Sequence, residues 1–144
     1  MITEEEKIEI HNLIETFIQK MCSWEAFCRK VEEDKSLTFD EQFQKRKTEC
    51  IKIFNEYCTN KERKYGRPTT ISYGYEYNPQ SESVVTVEIN SKSKATIYTE
   101  TTETADNGFP SKYQYGVIKK SGKWLLDTKK RYSNFKKKWV INSL

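Results

Sequence analysis

At 144 residues, the chain suits one domain, 1–144, with one hydrophobic core. Only 35% of it is hydrophobic and mean hydropathy is −0.87, so nothing nears the ~20 apolar residues of a membrane span. Three early glutamates, Glu4-Glu5-Glu6, are the wrong charge for a secretory start, which points to the cytoplasm.

The first helix is expected over residues 4–33. Thr3 with Glu6 fits a capping box, and Ile10, Leu13, Ile14, Phe17, Met21, Trp24, Cys28 and Val31 recur at three- and four-residue steps as one apolar stripe. After Asp34-Lys35-Ser36, a second box, Thr38 with Glu41, starts a helix expected to reach about Lys61, with Phe39, Phe43, Cys50, Phe54 and Tyr57 as its stripe. Tyr65-Gly66-Arg67-Pro68 closes the helical half. The period then changes to two. Ile71, Tyr73, Tyr75 and Tyr77 predict a strand, followed by strands at 84–90 and 95–101 joined by a loop at 90–93. Residues 102–110, containing Asn107-Gly108, form a longer polar connection, and 113–119 and 123–130 form a hairpin about Ser121-Gly122. Two helices followed by sequential strands make an α+β domain, its N-terminal helices packed on a curved antiparallel sheet.

The residues offer little chemistry. His11 is the one histidine, a helix-flank residue with no evident orienting partner. Five glycines are too scattered for a phosphate cradle, and no nucleophile elbow, dinucleotide fingerprint or other cofactor motif occurs. Cys22, Cys28, Cys50 and Cys58 lack the close pairing of zinc ligands and read as reduced, buried or half-buried thiols. Asp127, ending the run Trp124-Leu125-Leu126, has two readings: a proton-transfer base inside a conical sheet, or, favoured, a salt bridge to a nearby lysine.

Charge is polarised. Residues 1–34 hold nine acidic and four basic side chains, whereas 119–138 hold nine basic and one acidic. The basic end interleaves Lys129-Lys130-Arg131-Tyr132 and Lys136-Lys137-Lys138-Trp139, a nucleic-acid-like pattern. A whole-chain charge of only +4 and the lack of a recognised module disfavour that partner.

A set of ordered motifs adds to this reading: Tyr65-Gly66, Glu76-Tyr77-Asn78-Pro79, residues 94–99, Tyr113-Gln114-Tyr115, and Lys119 through Asp127 with Lys129-Lys130-Arg131-Tyr132. Over roughly residues 50–140 this set resembles the immunity proteins of the nuclear-transport-factor-2-like (cystatin-like) fold, found beside Rhs-type and related polymorphic toxins. The resemblance implies a cone-shaped sheet and a non-enzymatic, cofactor-free protein that binds one cognate toxin domain inside the producing cell. It transfers no catalytic or toxin-contact residue. The runner-up is a small-molecule-binding or isomerase-like enzyme of the same fold, and a homodimer is left open. Amphipathic rings and basic side chains concentrate binding energy and steer association. The expected toxin contacts are therefore Tyr73, Tyr75, Tyr77, Tyr98, Tyr113, Tyr115, Lys129, Lys130 and Arg131.

Overall fold

The computed structural model describes residues 2–102 and 109–144, which leaves most of the polar connection expected at 102–110, with Asn107-Gly108, outside the described residues. Helix α1 spans Glu4–Glu33 and α2 spans Phe39–Tyr57. The second capping box forms in full: Glu41 N donates to Thr38 Oγ1 at 3.1 Å and Thr38 N donates to Glu41 Oε1 at 2.8 Å. The first is only half formed. Thr3 Oγ1 accepts from Glu6 N at 3.1 Å, but the Glu6 carboxylate has left for the sheet, where Lys119 Nζ lies 2.9 Å away and Trp124 Nε1 donates at 3.1 Å. A bond to an ammonium is stronger than one to a neutral, water-exposed amide, and it wins.

All eight residues of the α1 stripe are buried. The α2 stripe holds only in its second half, where Cys50 and Phe54 are buried while Phe39, in the first turn, is 83% exposed. The helix also stops four residues short of Lys61: Cys58 turns into a parallel bridge with Leu126, and Thr59 N donates to Leu126 O at 2.8 Å. Trp24 Nε1 donates to Arg46 O at 2.9 Å and ties α1 to α2.

The strand expected at 71–77 does not form. Its backbone donors go to one carboxylate on α1: Gly74 N and Glu76 N donate to Glu25 Oε2 at 3.2 and 3.1 Å, and Tyr77 N donates to Glu25 Oε1 at 2.9 Å. Glu25 is 1% exposed, so these bonds satisfy a buried charge and dock the segment on the helix.

Five antiparallel strands follow in sequential order: β1 (Glu82–Ser91), β2 (Lys94–Thr101), β3 (Lys112–Lys120), β4 (Lys123–Ser133) and β5 (Lys138–Asn142). The last was not expected, because its lysine-rich approach reads as a charged surface. Ser121 and Gly122, with φ of 51° and 77°, make the tight turn whose backbone twist matches the β3–β4 hairpin. Register slips in the β1–β2 and β3–β4 pairs bend the sheet around the helices. Its inner face sets Ala95, Ile97, Tyr115, Val117, Trp124 and Leu126 against the α1 stripe. The Phe17 ring meets Phe54 edge-on at 6.1 Å and Tyr77 at 5.6 Å.

Candidate protein-binding site

One bulge decides which basic residues face out. Gly116 pairs with Thr128 but Val117 pairs with Leu126, so Asp127 is the extra residue of β4. Gly116 suits that pairing, since a Cβ would force the Thr128 hydroxyl to move. Trp124 and Leu126 point inward as their alternation predicts, and beyond the bulge the phase reverses. Lys129 and Ser133 are buried, and Lys130 stays in water.

The Lys129 side chain is fully enclosed, with Nζ 2.6 Å from Glu76 Oε2. Its ammonium lies 4.2 Å from the Tyr77 ring centroid and 4.4 Å from that of Tyr113, so two π-faces share its solvation. Arg67, 3% exposed, holds the other Glu76 oxygen at 3.3 Å and donates through Nε to Leu144 O at 2.9 Å and through Nη1 to Ser72 O at 2.7 Å. Burial alone would raise the Glu76 carboxyl, but the charges and hydrogen bonds of Lys129 and Arg67 outweigh it and hold it below the ordinary glutamate value. Beside this pair, Glu82 Oε2 accepts from Thr99 Oγ1 at 2.5 Å and from the Tyr115 hydroxyl at 2.7 Å. Burial pushes the Tyr77 and Tyr115 phenols well above the ordinary value, so both are neutral.

The expected contact set therefore divides. Tyr77, Tyr113, Tyr115 and Lys129 are core, and the folded protein presents none of them on its surface, which corrects their assignment as contacts. The bulge turned Lys129 inward, and Tyr77 follows Glu25 into the core. Tyr73 is half-buried beneath Arg46, and Tyr75 is 81% exposed, with the Arg29 guanidinium 4.0 Å above its ring. The shared face expected for Tyr73, Tyr75 and Tyr77 is lost with the strand.

Tyr98 lies on the outer face of the sheet, which alternation along β2 sets opposite Ile97 and Thr99. Its hydroxyl accepts from Gln114 Nε2 at 3.1 Å, and its ring lies 5.9 Å from Trp139, which also meets Tyr132 at 5.4 Å. Trp139 and Tyr132, which complete this outer aromatic cluster, lie outside the expected contact set. The signal was the Trp139-Val140-Ile141 run, overshadowed by the lysines before it. Lys130 is exposed and Arg131 half-exposed.

The favoured reading of Asp127 holds. Its Oδ1 accepts from Thr59 Oγ1 at 2.7 Å and lies 3.1 Å from Lys61 Nζ. Burial would raise its carboxyl, but Thr59, Lys61 and Arg63 outweigh that and lower it, the opposite of a base poised near neutral pH. His11 Nδ1 pairs with Glu15 one turn away on the exposed side of α1. The four cysteines are free, and burial pushes the thiols of Cys28, Cys50 and Cys58 up to about 12.

Residues 9–143 match the NTF2-fold immunity proteins. The chain belongs to that family. Two helices packed on a five-stranded antiparallel sheet are consistent with the fold in the family's name. The immunity protein RhsIA of Dickeya dadantii (strain 3937) is similar to it, 32% identical over 145 residues covering 99% of this chain and all of the relative. No solved structure matches the chain. Among the described residues, no helix is long and apolar enough to cross a membrane.

Proposed function

We propose that this immunity protein acts in the cytoplasm as one domain, neutralising its cognate toxin domain by stoichiometric, non-enzymatic binding. The observation that carries this reading is the filled interior. Where an enzyme of this fold would need a cavity beneath the sheet, Tyr77, Tyr113 and Tyr115 pack around a lysine already paired with Glu76. Of the expected contacts, Tyr73, Tyr75, Tyr98, Lys130 and Arg131 remain accessible, which supports recognition from outside the core.

The test is titration of the toxin domain encoded beside this chain. Its activity should fall linearly to zero at one equivalent, the two proteins should elute together, and co-expression should protect the cell. Complete inactivation by a small fraction of an equivalent would mean turnover and overturn the binding reading. Failure to protect would overturn the immunity assignment of this partner.

A further inference from the structure

An open cleft of about 580 Å³ runs between residues 61–67 and strands β4 and β5. Its walls hold six cations against two side-chain carboxylates, Glu62 and Asp127. Most of that charge is already committed. Lys61 is paired with Asp127, and Arg67 and Lys129 share Glu76. Arg63 donates to Asp127 O at 2.9 Å and to Thr59 O at 3.2 Å. Lys64 and Lys130, one on each wall, form no ion pair among the described residues.

The lips are apolar. Tyr65 is 84% exposed and Ile141 90% exposed, both large side chains held in water. Ile141 pairs across the strands with Lys130, and next on the same outer face come Trp139 and Tyr132. The cleft thus opens onto the aromatic cluster that contains Tyr98.

We infer that this cleft is the docking site for an apolar side chain of the toxin domain flanked by carboxylates, with Lys64 and Lys130 pairing those carboxylates from opposite walls. The inference rests on the binding function proposed above and names its surface. The unpaired lysines set the sign of the partner. The exposed lips set its size, because a small anion inside the cleft would leave Tyr65 and Ile141 in water, whereas a protein surface covers both together with the aromatic face. Buried apolar anchors ringed by charged groups concentrate binding energy in this way.

The experiment measures affinity for the toxin domain encoded beside this chain. Ile141→Glu and the double variant Lys64→Glu/Lys130→Glu should each weaken binding by about tenfold or more. Their melting temperatures should stay near wild type, since all three side chains are exposed. Phe39→Ser, at an equally exposed ring on α2, should bind as wild type does. Binding by the wild-type chain with unchanged affinity in the cleft variants overturns this placement alone, as does equal weakening by Phe39→Ser. Absence of any wild-type complex overturns the placement together with the proposed function. Thermal stabilisation by citrate that the cleft variants abolish, with toxin affinity unchanged, would give the cleft to a small anion. Self-association lost in those variants, again with toxin affinity unchanged, would give it to a second copy, and either result refutes the inference.

Discussion

Lys129 Nζ lies 2.6 Å from Glu76 Oε2, and because the lysine side chain is fully enclosed while Glu76 is 31% exposed and also holds Arg67, it is the ammonium that depends on the pair. Removing Glu76 strands the enclosed ammonium. Glu76→Ala should therefore destabilise the fold by about 3–5 kcal/mol, far more than loss of an exposed ion pair would. Lys129→Met/Glu76→Leu should cost less than the sum of the single changes, because the cavity and both charges are then treated together. Denaturant melts of Lys129→Met, Glu76→Leu and the double variant check this. Additive losses would mean that the two side chains do not act as a pair.

Acid should weaken the fold through the same group. Glu76, Asp127 and Glu6 are all held below their ordinary values: against the opposing effect of burial, Glu76 by Lys129 and Arg67 and Asp127 by the Thr59 hydroxyl with Lys61 and Arg63, and Glu6 by its bonds to Lys119 and Trp124. A depressed folded-state pKa contributes stability above the unfolded value, about 4.3 for glutamate, and that contribution is lost as pH falls through the folded value. The stability gap between wild type and Glu76→Gln should thus be widest near neutral pH and shrink below about pH 4. A gap constant from pH 7 to pH 3 would refute the charge-pair account.

Trp124 is held at both ends of its indole. Its ring is 1% exposed in the core, and Nε1 donates to Glu6. Trp124→Ala should cost about 3–5 kcal/mol through the lost ring and the cavity left behind. Trp124→Phe keeps most of the packing but loses the bond to Glu6, and should fall between Ala and wild type. A Trp124→Ala melting temperature near that of wild type would contradict the burial.

What sequence reasoning could reach follows a physical line. Elements defined by local chemistry were legible: the Thr38–Glu41 box, the α1 stripe, the Ser121-Gly122 turn and the inward Trp124. What depended on a distant partner was not. Alternating tyrosines at 71–77 look like a strand, yet only the folded chain brings Glu25 to their amides. Lys129 reads as surface because lysine is rarely buried, and a one-residue bulge with Glu76 beneath it reverses that. The same two long-range features, the Glu25 anchor and the bulge, carry Tyr77 and Lys129 into the core beside Tyr113 and Tyr115.

Asp127 and His11 should be dispensable for neutralisation. Asp127 is an ionised bulge residue bonded to Thr59 and Lys61, and His11 pairs with Glu15 on an exposed helix face. Asp127→Asn and His11→Ala proteins that stay folded should protect toxin-expressing cells as wild type does. Lost protection with toxin binding intact would bring back the enzyme reading.

The tyrosines offer the sharpest separation of structure from recognition, because the bulge and the sheet divide them into two kinds. Tyr115 is fully buried and its hydroxyl donates to Glu82, so Tyr115→Phe should leave that carboxylate short of a donor and cost about 1–3 kcal/mol. Tyr77 is 2% exposed and packs edge-on against Phe17, so Tyr77→Ala should cost more, about 3–5 kcal/mol. Tyr75 is 81% exposed, and the Tyr98 ring lies tilted against Trp139 at 5.9 Å on the outer face. Tyr75→Ala and Tyr98→Ala should move the melting temperature little. If the outer face meets the toxin, Tyr98→Ala should weaken binding while the fold stays intact, and Tyr77→Ala should act on binding only through the unfolded fraction. Melting curves and toxin affinities measured on the same four proteins settle it. A Tyr98→Ala protein that is fully folded and binds as tightly as wild type would remove the aromatic face from the interface.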